Sequence, residues 1–276
     1  MALRILLPVM TYPDATPAAA LPRAADMAAT LGAHVTAVVH DVDIPPIENP
    51  VAEFLLALKA EAANAERQSR RVGTEIEQQL KHLSGRIGLA LTVERLKAER
   101  ACGELMAEKA RCFDLTMLLC DPASPDHALL EQDVLFGSGG PVIIFPGHDV
   151  ASHLAKVAIA WDGSRAAARS VHDAIPLLKR AGAVHVLTCT QDKPINPASI
   201  DGLLALLSAH DVEATHVPVV LGDQPIGITL QTAAVAHDAG MLVMGAYGHS
   251  RMREFIMGGA TASVLRNPML PLFMSH

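Results

Sequence analysis

The chain has 276 residues and a formal net charge of −7; half of its residues are apolar and only 3% are aromatic. Nucleic-acid binding requires a basic face and stacking surfaces, so an acidic chain with so few aromatic residues argues against that class of partner. The length and the apolar fraction allow two domains of ordinary size with well-filled cores.

Hydropathy and cysteine usage indicate the compartment. No apolar run reaches the roughly 18 residues that a membrane span needs, and residues 1–7 lack the pattern of a cleaved signal peptide. We therefore expect a cytoplasmic protein with no membrane partner. The cysteines, Cys102, Cys112, Cys120 and Cys189, form no Cys-x2-Cys pair and sit in or beside apolar segments, which predicts reduced, buried thiols. No two histidines form a close ligand pair on one helix, so we expect no metal site.

The two halves of the chain repeat one order of elements. Each opens on a basic residue that leads into an apolar strand, at residues 4–10 and 156–162, and continues into an alanine-rich helix that ends at Gly32 or Gly182. The later segments correspond as well: strands 34–39 and 184–188, strands 89–96 and 213–220, helices 101–111 and 226–237, strands 115–120 and 241–244, and final strands 142–145 and 270–273. Because apolar strands alternate with helices, we predict right-handed β-α-β units and two parallel sheets, one in each half, covered on both faces.

Residues 147–153 have few apolar anchors and form the best linker, so we predict domains at residues 1–147 and 154–276. The halves differ in one helix. From Val51 to Leu83, apolar residues recur at three- and four-residue steps and mark a long amphipathic helix, whereas its counterpart near residues 200–208 is much shorter. The apolar stripe of the long helix either covers the first sheet, which is the favoured interpretation, or binds a partner.

Glycines follow the strand at residues 241–244 with the spacing Gly-x2-Gly-x9-Gly, at Gly245, Gly248 and Gly258. Gly259 comes next, and a segment with helical character opens at Ala260. Glycines let an anion approach the backbone, and N–H groups at the start of a helix carry partial positive charge, so this order predicts a phosphate cradle. The glycines alone would also suit ordinary turns. The chain contains no Walker A loop and no dinucleotide fingerprint, which argues against P-loop hydrolysis and nicotinamide chemistry.

The glycine spacing, with the intervening residues 249–257, closely resembles the nucleotide loop of the universal stress protein family, and residues 267–274 look like that family's closing turn and final strand. The resemblance implies an α/β fold of two tandem open parallel-sheet domains, Rossmann-like and of the adenine nucleotide alpha hydrolase type, related by pseudo-twofold symmetry. It also implies that the domains pack through their final strands, 142–145 against 270–273, and it makes a homodimer of the whole chain plausible.

The same resemblance implies one adenine-nucleotide site, for ATP with Mg²⁺, in the second half. It assigns contact with adenine to Asp162, which follows the first strand of that half, and backbone contacts to the end of the second strand. Asp162 also stands where it could simply cap the following helix, and this alternative stays open. The nucleotide-binding residues implied in this way are Ala160, Asp162, Thr188, Cys189, Met244, Gly245, Tyr247, Gly248, Gly258, Gly259, Ala260 and Thr261.

Two residues depart from the family's pattern. Nucleotide-binding members usually carry Ser or Thr directly after the last motif glycine, where this chain has Gly259. The hydroxyl is lost unless Thr261 or Ser263 replaces it, and its loss would weaken binding. Ala160 stands where many members have proline, and this affects the stiffness of the loop more than its chemistry.

The first half lacks the features of a nucleotide site. Met10 stands at the place of Asp162 and removes the acceptor for an adenine amino group. After the strand at residues 115–120, the chain runs through Pro122 and Pro125, which lack N–H groups, and through aspartates that repel phosphate. We therefore expect no nucleotide in that half.

Three hypotheses for function follow from these patterns. The leading one is an adenine-nucleotide-binding stress-response or regulatory protein that is not an efficient enzyme, because no nucleophile or paired carboxylates can be placed beside the phosphates; no catalytic residue is assigned. A slow ATP hydrolase or phosphotransferase using His249, Arg251 or Arg253 is the second. A nucleotide-free interaction module, favoured by Gly259, is the third.

Overall fold

Strands and helices alternate along the whole chain. The structure, a computed structural model, describes residues 2–44, 52–98, 103–246 and 259–276, and all statements about contacts refer to these residues. The first half comprises β1 (Arg4–Val9), α1 (Leu21–Thr30), β2 (His34–Val42), α2 (Ala52–Ile87), β3 (Ala90–Ala98), α3 (Gly103–Ala110), β4 (Leu115–Cys120), α4 (Pro125–Gly137) and β5 (Val142–Pro146). The second half comprises β6 (Lys156–Ala160), α5 (Arg165–Leu178), β7 (Ala183–Thr188), α6 (Pro197–Ala209), β8 (Ala214–Pro218), α7 (Ile226–Ala236), β9 (Leu242–Gly245), α8 (Ala260–Arg266) and β10 (Leu272–Ser275).

The described strands form one sheet of ten, in the order β3-β2-β1-β4-β5-β10-β9-β6-β7-β8. Neighbours are parallel within each half, whereas β5 and β10 are antiparallel, with Ile143 opposite Phe273 and Ile144 opposite Leu272. The α/β fold and the predicted pairing of the final strands are thus confirmed. The expectation of two separate sheets is wrong, because β5 and β10 would otherwise be open edges, and pairing satisfies their backbone N–H and C=O groups.

Two core layers lie on the two faces of this sheet, and each runs through both halves of the chain. Because successive side chains of a strand point to opposite faces, Ile143 and Phe145 belong to one layer and Ile144 to the other. Phe273 joins the first layer and Leu272 the second. The apolar cores are therefore continuous across the β5–β10 junction. The domain limits at residues 147 and 154 stay a prediction.

The apolar stripe of α2 packs on the first half of the sheet. Ala65, Ile76 and Leu80 are each at most 5% exposed. Gly73 brings the helix so close to β2 that a Cβ at this position would lie 2.9 Å from Cγ1 of Val39. The sheet-covering interpretation of the stripe is confirmed for this part of α2. The side chains of residues 51–58 lie outside the described part of the chain.

The thiols only partly match the expectation. Cys120 and Cys189 are buried and Cys112 is exposed, and all three are free; Cys102 is outside the described residues. Burial was the wrong prediction for Cys112, because this residue lies in the turn after α3 and not within β4. Within the described ranges, no helix is both long and apolar enough to cross a bilayer, and no three potential metal ligands cluster.

Candidate functional site

The strand order of the second half reverses between β6 and β9, since the chain leaves β6 toward β7 on one side and later returns to β9 on the other. At such a point the loops after the two strands diverge and leave a crevice at the carboxyl ends, where open α/β sheets bind their ligands. Ala160 is paired with Met244 across the two strands. The residues that follow, Asp162 on one side and Gly245 on the other, therefore lie at the same edge of the sheet.

Asp162 is held in this crevice by two hydrogen bonds. Its Oδ1 accepts from the backbone N–H of Ser164 at 2.8 Å, and its Oδ2 accepts from the ammonium group of Lys193. The side chain is 36% exposed. Burial by itself disfavours the charged form, but the hydrogen bonds from Lys193 and Ser164 outweigh it and hold the pKa of Asp162 below its usual value. Asp162 is thus an ionised, partly exposed acceptor at the carboxyl edge of the sheet.

The residue that caps α5 is Ser164, not Asp162. The Ser164 hydroxyl accepts from the N–H of Ala167 at 3.1 Å. The cap of the helix is therefore two residues after Asp162, and the capping alternative for Asp162 is wrong. Asp162 instead closes the turn that precedes the helix, and Gly163 in that turn has a φ of +73°, a conformation that favours glycine. A local role for Asp162 and a role toward a ligand are compatible, because a carboxylate has about four lone-pair sites.

Gly245 has a packing role that the motif did not reveal. A Cβ on this residue would lie 2.5 Å from the carbonyl carbon of Ala166 and the nitrogen of Ala167. Only glycine allows the first turn of α5 to approach the end of β9 this closely. The amino-terminal end of α5, with its partial positive charge, is thereby placed beside the end of β9.

The end of β7 supplies fewer free groups than the sequence suggested. The hydroxyl of Thr188 hydrogen-bonds to Nε2 of His216 at 2.8 Å, and the Thr188 carbonyl accepts from the N–H of Val219 at 2.8 Å. That carbonyl keeps a second lone pair for a ligand. Cys189 is 5% exposed, so its thiol lies within the protein.

The far side of the predicted cradle is described from Gly259 onward. Gly259 precedes α8 with φ +86° and ψ −161°, and a Cβ there would meet nothing within 4 Å. Glycine is thus required by backbone conformation and not by crowding, which explains why Ser or Thr would be strained at this position. The hydroxyl of Ser263 donates to the carbonyl of Ala260 at 2.9 Å and is thus engaged within α8. Thr261 is buried and Ala260 opens α8.

Several predicted residues lie outside the described residues: Tyr247, Gly248 and Gly258 of the nucleotide set, and His249, Arg251 and Arg253 of the hydrolase hypothesis. Of the twelve nucleotide-binding candidates, the structure brings Ala160, Asp162, Met244 and Gly245 together at the carboxyl ends of β6 and β9. Thr188 and Cys189 follow on the neighbouring strand β7, and the Gly259–Thr261 group forms the start of α8.

The corresponding crevice of the first half is filled by the protein itself. Met10 is 2% exposed where the second half has Asp162. The Ser69 hydroxyl on α2 lies 2.6 Å from the Thr11 hydroxyl and accepts from the N–H of Val42 at 2.9 Å. Because Thr11 follows β1 and Val42 ends β2, α2 covers the carboxyl ends of both strands.

Residues 121–127 of the first half turn directly into α4. Ser124 caps this helix by accepting from the N–H of His127 at 3.2 Å, and Nδ1 of His127 accepts from the N–H of Asp121 at 2.9 Å. His127 is 1% exposed. A backbone N–H and an imidazole therefore satisfy each other at the place where the second half is predicted to bind phosphate.

A buried acid lies directly below this turn. Burial raises the pKa of Glu131 to about 7, although a hydrogen bond with the Cys120 thiol acts in the opposite direction. Burial and the neighbouring Glu131 and Asp121 raise the pKa of Cys120 well above its usual value. Cys120 therefore stays protonated in neutral solution, whereas Glu131 is largely protonated only in mildly acidic solution and is about half ionised near neutral pH.

Lys193 is the functional candidate that sequence reasoning missed. It lies 31 positions from Asp162, in the segment between β7 and α6, and no local pattern connects the two residues. Ser69 was also missed, because a serine inside a long amphipathic helix reads as an ordinary polar position. Only the position of α2 over the sheet reveals its contact with Thr11.

Comparisons with known proteins agree with this architecture. Residues 154–276 match the model of the universal stress protein family. Over its whole length the chain is similar to a universal stress protein from Archaeoglobus fulgidus, with 18% sequence identity, a TM-score of 0.70, and coverage of 99% of this chain and 96% of that one. It is also similar to a protein of unknown function from Pseudomonas aeruginosa, with 15% identity, a TM-score of 0.56, and coverage of 99% and 92%. A comparison with curated protein sequences finds no significant match.

Proposed function

We propose that this protein binds an adenine nucleotide, ATP with Mg²⁺, at one site in its second half. Residues 154–276 match the model of the universal stress protein family, and the whole chain shares the fold of a universal stress protein from Archaeoglobus fulgidus. Nucleotide binding then biases its conformation or association in a stress response. The protein acts as a binding protein and not as an efficient enzyme. It is a cytoplasmic protein that assembles as a homodimer.

The observation that carries the proposal is the meeting of Asp162 and Gly245 at the switch point between β6 and β9. Asp162 is an ionised acceptor that can take a hydrogen bond from the exocyclic amino group of adenine. Gly245 places the first turn of α5 beside the crevice, and a helix amino terminus favours a negatively charged ligand.

The residues fit an adenine nucleotide better at this site than in the first half. Met10 offers no acceptor, and the hydrogen-bonded pair of Ser69 and Thr11 closes the space above β1 and β2. This difference supports one nucleotide per chain. Mg²⁺ in proteins keeps several waters and is held by a few carboxylates together with substrate phosphates, so the nucleotide itself would supply most of its ligands.

Two measurements test the proposal. Freshly purified protein is denatured and the supernatant is analysed by chromatography for ATP, ADP and AMP, and ligand-free protein is titrated with ATP and Mg²⁺ in a calorimeter. We expect released nucleotide or a binding isotherm with one site per chain. No released nucleotide together with no heat on titration would contradict the proposal.

Asp162→Asn is the sharpest variant, because the amide has the shape of the carboxylate without its charge. A hydrogen bond to a charged acceptor contributes about 1.5–3 kcal/mol, so we expect the affinity for ATP to fall about tenfold or more. Asp201→Asn, an exposed position on α6, is the matched control and should bind as the unmodified protein does. Equal affinity in both variants would mean that Asp162 does not contact the ligand.

A nucleotide-free interaction module is the second candidate, and one observation favours it. Gly259 provides no hydroxyl for phosphate, and the Ser263 hydroxyl is engaged by the Ala260 carbonyl. If this function is correct, neither assay detects nucleotide, and light scattering of the purified protein shows the same mass with and without ATP and Mg²⁺.

A further inference from the structure

We propose that Lys193 is a positioning residue for the nucleotide site: by hydrogen-bonding to Oδ2 of Asp162 it fixes this carboxylate in the crevice as an ionised acceptor and offsets its charge toward an anionic ligand. The inference rests on the proposed nucleotide site and adds to it a residue that lies outside the glycine motif.

The segment that carries Lys193 is anchored on both sides of it. Gln191, two residues before, accepts a hydrogen bond from the N–H of Leu221 at 2.6 Å through its Oε1. Ile195, two residues after, is 8% exposed and reaches into the protein interior. Asn196 then caps α6 by accepting from the N–H of Ala198 at 3.0 Å. These contacts on both sides fix the backbone at Lys193, so its side chain lies next to Asp162.

The two hydrogen bonds of Asp162 determine where its carboxylate points. Ser164 holds Oδ1 and Lys193 holds Oδ2, so rotation of the carboxylate would break at least one of them. Two of the four lone-pair sites remain for a ligand donor. Without Lys193, Ser164 is the one described residue that still stabilises the charged form, and the half-buried carboxylate gains by turning toward water or by taking up a proton.

The charge of Lys193 also matters for the ligand. A nucleotide is a polyanion, and an unpaired carboxylate beside it raises the electrostatic cost of binding. The paired ammonium group leaves the Asp162–Lys193 unit with no net charge. It retains two further N–H donors, because a lysine ammonium group has three.

The Asp162–Lys193 pair, just beyond the carboxyl end of β6, differs in position from a second ion pair at the other end of that strand. Lys156, at the opposite end of β6, contacts Asp238 at 3.0 Å, and the Asp238 side chain is 80% exposed. Exposed pairs of this kind contribute little. The Asp162 and Lys193 side chains are each 36% exposed and lie at the crevice. Lys156→Met is therefore a matched control that removes a lysine from an ion pair away from the site.

The experiment compares Lys193→Met, Lys193→Arg and Lys156→Met with the unmodified protein, using calorimetry with ATP and Mg²⁺ over a range of pH. We expect Lys193→Met to bind about tenfold more weakly at neutral pH, because the Asp162 carboxylate is then neither fixed in position nor paired with a cation beside the anionic ligand. Its remaining affinity should also begin to fall at a higher pH than that of the unmodified protein, because Asp162 then protonates more easily. Lys193→Arg should retain most of the affinity, and Lys156→Met all of it.

A second measurement needs no nucleotide. The titration of the Asp162 carboxyl carbon, followed by ¹³C NMR in the ligand-free proteins, should show a higher pKa in Lys193→Met than in the unmodified protein and no change in Lys156→Met. If the unmodified protein binds no nucleotide, the proposed function fails, and this titration still tests whether Lys193 holds Asp162 ionised. An unchanged Asp162 pKa in Lys193→Met would overturn the inference. So would the same affinity for ATP over the whole pH range in Lys193→Met and in an unmodified protein that binds ATP.

Discussion

The hydroxyl group of Ser69 in α2 lies 2.6 Å from the hydroxyl group of Thr11, the residue just beyond β1, and Ser69 is completely buried. The contact joins a helix to the carboxyl edge of the sheet at the place where the second half has its crevice. The same contact therefore fixes α2 over the carboxyl edge of the sheet in the first half, so the two halves share a topology and differ in what lies over it.

Thr11→Val and Ser69→Ala test this contact. Each substitution removes one partner of a buried hydrogen bond, and we expect each to lower the free energy of unfolding by about 1–3 kcal/mol. In the double variant the two losses should not add, because the partners share one interaction. Urea unfolding of the four proteins measures the coupling. Additive losses would show that the two hydroxyls stabilise the protein independently.

Met10→Asp tests whether an aspartate at the position that corresponds to Asp162 creates a nucleotide site in the first half. Met10 is 2% exposed, so an aspartate there would be buried without a partner, and we expect the protein to lose several kcal/mol of stability. The number of nucleotides bound per chain should not increase, because α2 still covers the crevice. Met10→Leu, a volume-conserving change, should cost less than about 1.5 kcal/mol. A second bound nucleotide in Met10→Asp would contradict the role that we assign to α2.

Glu131 predicts a pH dependence of stability. Its pKa is raised from 4.5 in the unfolded chain to about 7 in the folded protein, so the folded state binds the extra proton between these values. The stabilisation is fully present below about pH 4.5 and is lost as pH rises to about 7, by a total on the order of 3 kcal/mol. Urea unfolding between pH 4.5 and 8 should show this fall.

Glu131→Gln should abolish that fall, because glutamine is neutral at every pH. Glu61→Gln, at an exposed position of α2, should leave it unchanged. If Glu131→Gln retained the same loss of stability over this range, another group would have to be its source.

Gly245→Ala tests the close approach of α5 to β9. A Cβ would lie 2.5 Å from backbone atoms of Ala166 and Ala167, and backbone cannot move aside as a flexible side chain can. We expect a loss of about 1–3 kcal/mol in the free energy of unfolding. Gly202→Ala is the matched control, since Gly202 lies inside α6 with nothing within 4 Å of the new Cβ, and it should stabilise by about 0.5–1 kcal/mol. If the Gly245→Ala variant were as stable as the unmodified protein, the contact between α5 and β9 would be looser than described.

The internal repeat made the order of strands and helices predictable, because apolar runs and helical periodicity are local properties of the chain. The likeness of residues 142–145 and 270–273 to paired final strands was also recognisable, and β5 and β10 do pair. The number of sheets was not predictable from periodicity, since it depends on whether two distant edges meet. The exposure of Cys112 depends likewise on which side of a turn faces solvent.

Some features of the candidate site were likewise predictable from the sequence, and others were visible only in the structure. Asp162 and Gly245 were found from their positions at the ends of apolar strands, and the packing of Gly245 against Ala166 was not, because that contact spans 79 positions of the chain. The glycine motif also left open whether a nearby hydroxyl could replace the one missing at Gly259. The structure shows that the Ser263 hydroxyl is engaged by the Ala260 carbonyl, and only a folded helix provides that geometry.

By itself, the amino-acid sequence determined the α/β architecture, the pairing of two similar halves and the contrast between Asp162 and Met10, since each of these follows from residue type and local spacing. The tertiary structure alone decided that α2 covers the carboxyl ends of β1 and β2 through Ser69, and that Lys193 hydrogen-bonds to Asp162 in the second half. The physical reason is that hydrogen bonds and ion pairs act over a few ångströms, so they join residues that are far apart in sequence only after the chain has folded.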